Sequence, residues 1–240
     1  GKTKTSLKRN LRAAIKRFGK GFIKTIGIIQ PKDDPKLAQI GLSVPKFTEL
    51  AGFLGTDLNI RDEDISDGSV SGEIDILLIA APNGMGPKEV FAIDQFLMKG
   101  GSIIAMSSPY TMTLGQGLGL AKLEGEFKDW LKHHGLTMEE TLVLDMQNKA
   151  FPLPVMRKVG GNQVQEVRMI EYPYFADIRS KGFNNENPIT ANLEQVTMAW
   201  SSPIKVNSDD DNSREVVELI RSSDRSWLSN DTEIMPEINN

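Results

Sequence analysis

Residues 74–110 read IDILLIAAPNGMGPKEVFAIDQFLMKGGSIIAMSSPY. Two near-continuous apolar runs, 74–81 and 103–106, bracket a segment of helical period. Strands buried on both faces are apolar without alternation, so this order predicts a parallel βαβ unit. Pro87 suits the first helical position, where its missing N–H costs nothing. Val90, Phe91, Ile93, Phe96 and Leu97 form the helix's apolar stripe with Asp94 beside it, and Gly100-Gly101 ends it. The second strand closes on Ser107-Ser108-Pro109, the end of a parallel strand where α/β folds place their chemistry.

Working outward, TIGII at 25–29 reads as another buried strand, followed by a polar loop at 30–35. A helix is expected over 37–53, interrupted at Gly41 and Pro45, then a short strand at 58–60 and an acidic loop at 62–72. Downstream, 111–119 is Gly-rich and reads as a mobile or ligand-facing loop. Leu123, Phe127, Trp130 and Leu131 predict an amphipathic helix over 120–134, closed by Gly135, with a strand at 142–144. The texture then changes. Strand-like stretches at 151–157 and 163–172 flank Val159-Gly160-Gly161-Asn162, and Gly-Gly favours a hairpin because it accepts positive φ. A strand is expected at 196–200, an acidic loop at 207–212, a strand or helix at 215–220, and a polar tail beyond 227. The fold class is therefore α/β, three-layer and mostly parallel, with an antiparallel β extension. The expected division is a linker helix at 1–24, an α/β core at 25–150, the extension of the same domain at 151–228, and a frayed end at 229–240.

The chain has no cysteine, which removes disulfides, thiolate metal sites and cysteine nucleophiles. No apolar run approaches the roughly 18–20 residues of a membrane span, and no signal peptide is visible. Gly1 before Lys2 reads as a trace of excision from a longer chain, so any anchors are expected outside this one. The net charge of −4 hides an asymmetry. Lysines and arginines supply nine positive charges within 1–24, with no acid among them, and the remainder is acidic. Leu7, Leu11, Ile15, Phe18 and Phe22 recur there at helical spacing. A helix docking its apolar stripe on the body or a neighbouring domain accounts for this. A membrane-surface helix is the second reading. Nucleic acid is disfavoured because the body is acidic and lacks a basic-aromatic groove.

Catalysis finds little support. A nucleophile elbow needs small neighbours and an oxyanion-hole N–H, yet no glycine flanks Ser107 or Ser108, and Pro109 has no N–H to donate. The two histidines, His133 and His134, end a predicted helix, where the dipole alone favours cations. As helical neighbours about 100° apart they cannot share one metal. The runs 33–34 and 209–211 lack calcium-loop spacing. The stretch 115–119, GQGLG, follows no strand directly, and no Gly-Lys-Ser/Thr triplet marks a P-loop. No catalytic residue, metal or cofactor is therefore expected. The candidate ligand- or partner-binding residues are Asn83, Ser107, Ser108, Tyr110 and Gln116 around the strand tip, with Tyr172 and Tyr174 from the run Tyr172-Pro173-Tyr174-Phe175. Hydroxyls and amides beside an aromatic ring suit a glycan or small molecule; tyrosines also suit a protein interface.

An ordered series of segments carries a family resemblance: IDILLIAAP, FAIDQFLMKGGSIIAMSSPY, FPLPVMRKVGGNQVQEVRMIEYPYFADIRS, NPITANLEQVTMAWSSPI and LIRSSDRSWL. With TIGII these cover most of the chain. It resembles the auxiliary components of ABC-type transport systems that include the gliding-motility auxiliary proteins of bacteria. The resemblance implies a longer membrane-anchored parent, a periplasmic or otherwise extracytoplasmic soluble part, and a permease/ATPase complex or other envelope proteins as partners. The βαβ unit is also similar to the glutamine-amidotransferase-like and flavodoxin-like folds. In the amidotransferase-like group a cysteine stands where this chain has Ser107-Ser108, so the resemblance implies the scaffold without the activity. The expected function is a non-enzymatic auxiliary subunit acting by protein or ligand binding. A glycan- or small-molecule-binding module and a degenerate hydrolase are the alternatives.

Overall fold

The computed structural model describes residues 23–33, 44, 46–114, 118–160, 162–207 and 215–236. The basic segment at 1–22, most of the first half of the helix expected over 37–53, and the acidic run at 208–214 lie outside these residues. Mixed α/β structure is observed, with a parallel sheet early in the chain and antiparallel pairs after it. The chain divides into two compact units. The first is 1–107 with 124–130, and the second is 108–123 with 131–240.

In the first unit, β1 (Thr25–Ile29), β2 (Asn59–Asp62), β3 (Ile76–Ala80) and β4 (Ser102–Met106) form one parallel sheet in the order β2-β1-β3-β4. Ile26 pairs with Ile60 on one side and Ile76 on the other, and Leu78 pairs onward with Ile104. β1 and β3 are buried along their last four residues, as central parallel strands require. Ile26, Ile28, Leu78 and Ala80 form a core cluster. Phe47 with Leu50 and Ala51 of the short helix α1 (Thr48–Leu54) packs on it. The crossover from β3 to β4 is helix α2 (Pro87–Met98). Pro87 opens it, Glu89 accepts the Gly86 N–H at 2.9 Å, and Ala92 and Ile93 are its buried residues. The βαβ reading of 74–110 thus corresponds to β3-α2-β4.

The expected ligand-facing loop at 111–119 is instead a hairpin, β5 (Tyr110–Leu114) against β6 (Leu118–Lys122), antiparallel. The long helix expected over 120–134 shrinks to α3 (Phe127–His133). Leu120 is held in a strand, donating its N–H to the Thr232 carbonyl at 3.0 Å. Gly125 then turns the chain at φ 110°, which stops a helix from starting earlier. Gly125 bridges Met85, and the Gly84 and Glu126 amides donate to the Glu124 and Met85 carbonyls at 3.0 Å. Phe127 is buried, and its ring lies 5.5 Å from that of Trp130, whose indole N–H donates to Asp94 of α2 at 3.0 Å.

The second unit consists of antiparallel pairs. Besides β5-β6 these are β7 (Leu136–Met138) with β13 (Ile204–Val206), β8 (Leu142–Asp145) with β14 (Ser226–Ser229), β9 (Phe151–Val159) with β10 (Asn162–Ile170), and β11 (Phe175–Arg179) with β12 (Gln195–Ala199). The antiparallel extension therefore begins before residue 151. Segment 215–220, expected as strand or helix, is neither; Ile220 bridges Phe183, and Asn184 donates its N–H to the Leu219 carbonyl at 3.0 Å and its amide to the Glu218 carbonyl at 3.1 Å. Tyr110, Leu142, Leu144 and Ile234 form the core cluster, with Leu120, Tyr174 and Trp200 against it. Ile234 is fully buried although its neighbourhood is polar in sequence, because Tyr172 donates its hydroxyl to the Ile234 carbonyl.

Candidate functional site

The strand order reverses at β1: the chain leaves β1 for β2 on one side, then returns to place β3 on the other. All four strands run the same way, so the loops leaving β1 and β3 diverge at one edge and open a crevice, where doubly wound folds bind ligands. A cavity of about 500 Å³ lies there, within the range of small-molecule sites. Its apolar lining comes from Ile28 and Ile29 at the end of β1, Ile65 beyond β2, and Met85 after β3.

The polar rim follows from what each strand end exposes. Gln30, just past β1, ties the edge together: its amide donates to Asp62 Oδ1 at 2.9 Å, and its carbonyl oxygen accepts the Phe47 N–H at 3.0 Å. Lys32 Nζ donates to Glu89 Oε2 at 2.7 Å and to the Gly84 carbonyl at 3.1 Å, linking the β1 loop to the start of α2. Glu89 sits at that helix's positive end, which favours its charge. Lys46 Nζ pairs with Asp33 Oδ1 at 2.9 Å and bonds the Pro31 carbonyl. Asp64 is held below its ordinary value, first by hydrogen bonds from Ser66 and further by the nearby Lys32 charge. Glu63 accepts the Ser71 N–H at 2.7 Å. Asn83 is half-buried on the β3 loop, and among the described residues its amide makes no side-chain hydrogen bond. The rim thus offers one unengaged carboxamide, two ammonium groups and several carboxylates. That set can hold a polar ligand by exchanging internal ion pairs for contacts to it. Among the described residues the lining contains no serine, histidine or cysteine.

The candidate residues fall in both compact units. Asn83 lines this crevice. Ser107 follows β4, and its hydroxyl is buried without a hydrogen-bond partner among the described residues. Ser108 belongs to the second unit, where its Oγ accepts the Tyr110 N–H at 3.2 Å. Tyr110 is buried and donates its hydroxyl to the Glu140 carbonyl at 2.6 Å. Gln116 lies outside the described residues. Tyr172 and Tyr174 do meet, with ring centroids 5.2 Å apart. Tyr172 is packed against Phe151 and Phe175 and accepts the Trp200 indole N–H at 2.9 Å. Both phenols are pushed up, chiefly by burial, with Asp231 adding to the effect at Tyr174. His133 and His134 meet each other edge to face at 5.5 Å. Among the described residues no three carboxylate or imidazole groups converge as a metal site.

Lys32, Lys46, Asp62, Glu63 and Glu89 are additions that the strand-tip argument, centred on Ser107, passes over. A signal was present for Lys32 and Asp62, which lie just beyond the carboxyl ends of the strands predicted at 25–29 and 58–60.

A family model described as an ABC-type uncharacterized transport system matches residues 24–240, beginning where the basic segment ends. No curated protein and no solved structure matches the chain.

Proposed function

The chain belongs to the ABC-type uncharacterized transport system family of auxiliary components, and from that premise we propose a non-enzymatic auxiliary subunit that binds a polar ligand at the carboxyl edge of its parallel sheet. One observation carries the reading: the crevice at the β1/β3 reversal combines the unengaged Asn83 amide with two lysines and an apolar floor. Among the described residues no base bonds the buried Ser107 hydroxyl, and the Ser108 hydroxyl serves as a backbone acceptor; both favour a binding role over an acyl-transfer one.

The finer features of the reading are also proposals. The β3-α2-β4 crossover and α1 on the cluster around Ile28 fit an amidotransferase-like, three-layer arrangement. The family fits an envelope location and a permease/ATPase partner, here taken as an extracytoplasmic placement in a gliding-motility-like system. No helix among the described residues is long and apolar enough to cross a membrane; the proposed attachment is through parts of a parent protein outside this chain.

A thermal-shift panel of mono- and oligosaccharides and small polar metabolites tests the crevice. A hit that Asn83→Ala weakens tenfold or more, with unchanged melting of the free protein, supports it. Hydrolase turnover that disappears in Ser107→Ala overturns the non-enzymatic reading. Co-purification of the full-length parent with a permease and ATPase, and protease accessibility from outside the cytoplasmic membrane, test the partner and the compartment.

A further inference from the structure

The β9-β10 ribbon has one edge closed to further pairing and one edge open, and the reason is chemical. β9 ends at Val159 and β10 begins at Asn162, and the register pairs the two, so they close the ladder as a hydrogen-bonded pair. Pairs alternate along an antiparallel ladder. The bonded pairs are therefore those of Phe151, Leu153, Val155 and Arg157 with Ile170, Arg168, Glu166 and Val164. Pro152 and Pro154 fall in the intervening pairs, opposite Met169 and Val167, where a strand residue points its N–H outward. The outer edge of β9 therefore lacks two successive donors. Opposite it, Gln163, Gln165, Val167 and Met169 direct complete N–H and C=O pairs outward from β10. Among the described residues β10 has no second strand partner.

That open edge borders a groove of about 780 Å³. Its far wall is the segment 231–236, held in place by the Gly119–Glu233 bridge and the burial of Ile234. Every β10 residue from Asn162 to Met169 is exposed. Met156, Val167 and Met169 share one ribbon face and are 63 %, 59 % and 63 % exposed. Glu171, Asp231 and Glu233 line the groove with Arg168 and with Glu166, whose carboxylate pairs with Arg157 at 3.6 Å, so the lining is acidic on balance. A two-stranded ribbon of this length is marginal in water, and a third strand would cover its apolar face.

We propose that the free edge of β10 is a strand-addition site for an extended segment of a partner protein, alternating basic and apolar residues. Backbone pairing to Gln163, Gln165, Val167 and Met169 supplies the affinity. Apolar side chains cover Val167 and Met169, and cations meet the carboxylates of the groove. The site lies in the second unit and stands independently of the crevice.

The test titrates the whole chain with an acetylated, amidated eight-residue peptide of alternating lysine and valine, followed by amide NMR. Two further peptides serve as controls, one with glutamate for lysine and one N-methylated at alternate backbone nitrogens. Expected are saturable shifts at 162–170 and 231–236, affinity falling with salt, and at least tenfold weaker binding of both controls. Val167→Pro leaves the ribbon's own hydrogen bonds intact, since that N–H points outward, and is expected to weaken the parent peptide tenfold or more. If Val167→Pro unfolds the ribbon, the N-methylated peptide decides alone. No binding, or equal binding of the N-methylated peptide, overturns the proposal. Concentration-dependent dimerisation through this edge, or displacement of the probe by a peptide of residues 2–24, would assign it to a second copy or to the chain itself, and equally overturns it.

Discussion

Two glycines beside the crevice differ in what a methyl group would meet, and the difference sets what each tolerates. Gly84 has φ 63° with nothing within 4 Å of an added Cβ, whereas Gly125 has φ 110° and its Cβ would stand 2.8 Å from both the Met85 nitrogen and oxygen. Gly84→Ala therefore carries only the left-handed backbone cost, about 1–2 kcal/mol. Gly125→Ala adds a collision with backbone that side-chain rotation cannot relieve, and is expected to exceed about 3 kcal/mol. Urea unfolding of the two variants checks the order; equal losses would mean that the 84–85 loop yields freely. Tyr172 is the corresponding residue of the second unit. Its hydroxyl donates to the Ile234 carbonyl and accepts from Trp200, so Tyr172→Phe strands both partners at about 1–3 kcal/mol. Burial raises this phenol above its ordinary value near 10.0. The neutral form is the one the fold favours, so its contribution is complete below pH 10.0 and is lost as pH climbs through the raised value. Alkaline denaturation followed at Trp200 should show a loss in the parent protein that is smaller in Tyr172→Phe.

At the scale of elements, pairing in the second unit depends on side chains that fasten one strand pair to a distant turn. Asp145 ends β8 and is buried, and its carboxylate accepts the Ser223 N–H at 2.7 Å, the Ser223 hydroxyl, and the Gln147 N–H at 2.8 Å. These bonds position the turn that leads into β14, the partner of β8. Asp145→Ala leaves three half-buried donors without their acceptor and should cost about 1–3 kcal/mol. Amide hydrogen exchange should accelerate at 223–229 before it does at β9 and β10, and uniform acceleration would place Asp145 in a global role instead. The sequence shows part of this architecture well. β1, β3, α2 and β4 were legible because period and composition agree along each: apolar runs for central strands, a proline-opened stripe for the helix. The ribbon was legible from its Gly-Gly turn. The β5-β6 hairpin was not, since its glycines read as a loop and its strand character rests on pairing between segments and on the Leu120–Thr232 bond. The same holds for the site. Asn83 could be found from its place after an apolar run, but Lys46 and Glu63 reach the crevice only through the strand order β2-β1-β3, which no local pattern carries.

For the whole molecule, chain connectivity and compact units do not coincide. The chain leaves the first unit after Ser107, returns for 124–130, and leaves again at Leu131. That brief return supplies structure the first unit lacks otherwise. Gly125 pairs with Met85 beside the crevice, Trp130 bonds Asp94 of α2, and Phe127 is only 2 % exposed. Truncating a buried phenylalanine alone costs about 3–5 kcal/mol, comparable to a large part of the 5–15 kcal/mol that holds a typical domain together. A fragment ending at residue 107 contains every strand of the parallel sheet and its crevice residues, yet lacks this closing segment. It should therefore give poorly dispersed amide spectra and a broad, weakly cooperative melt. A fragment ending at residue 130 restores the segment and should recover dispersed resonances for β1 and β3, with Phe127→Ala in that fragment reverting it toward the shorter one. Native-like dispersion in the 107-residue fragment would mean that the parallel sheet is self-sufficient, and that the return of the chain serves the crevice loop at 82–86 without sustaining the fold beneath it.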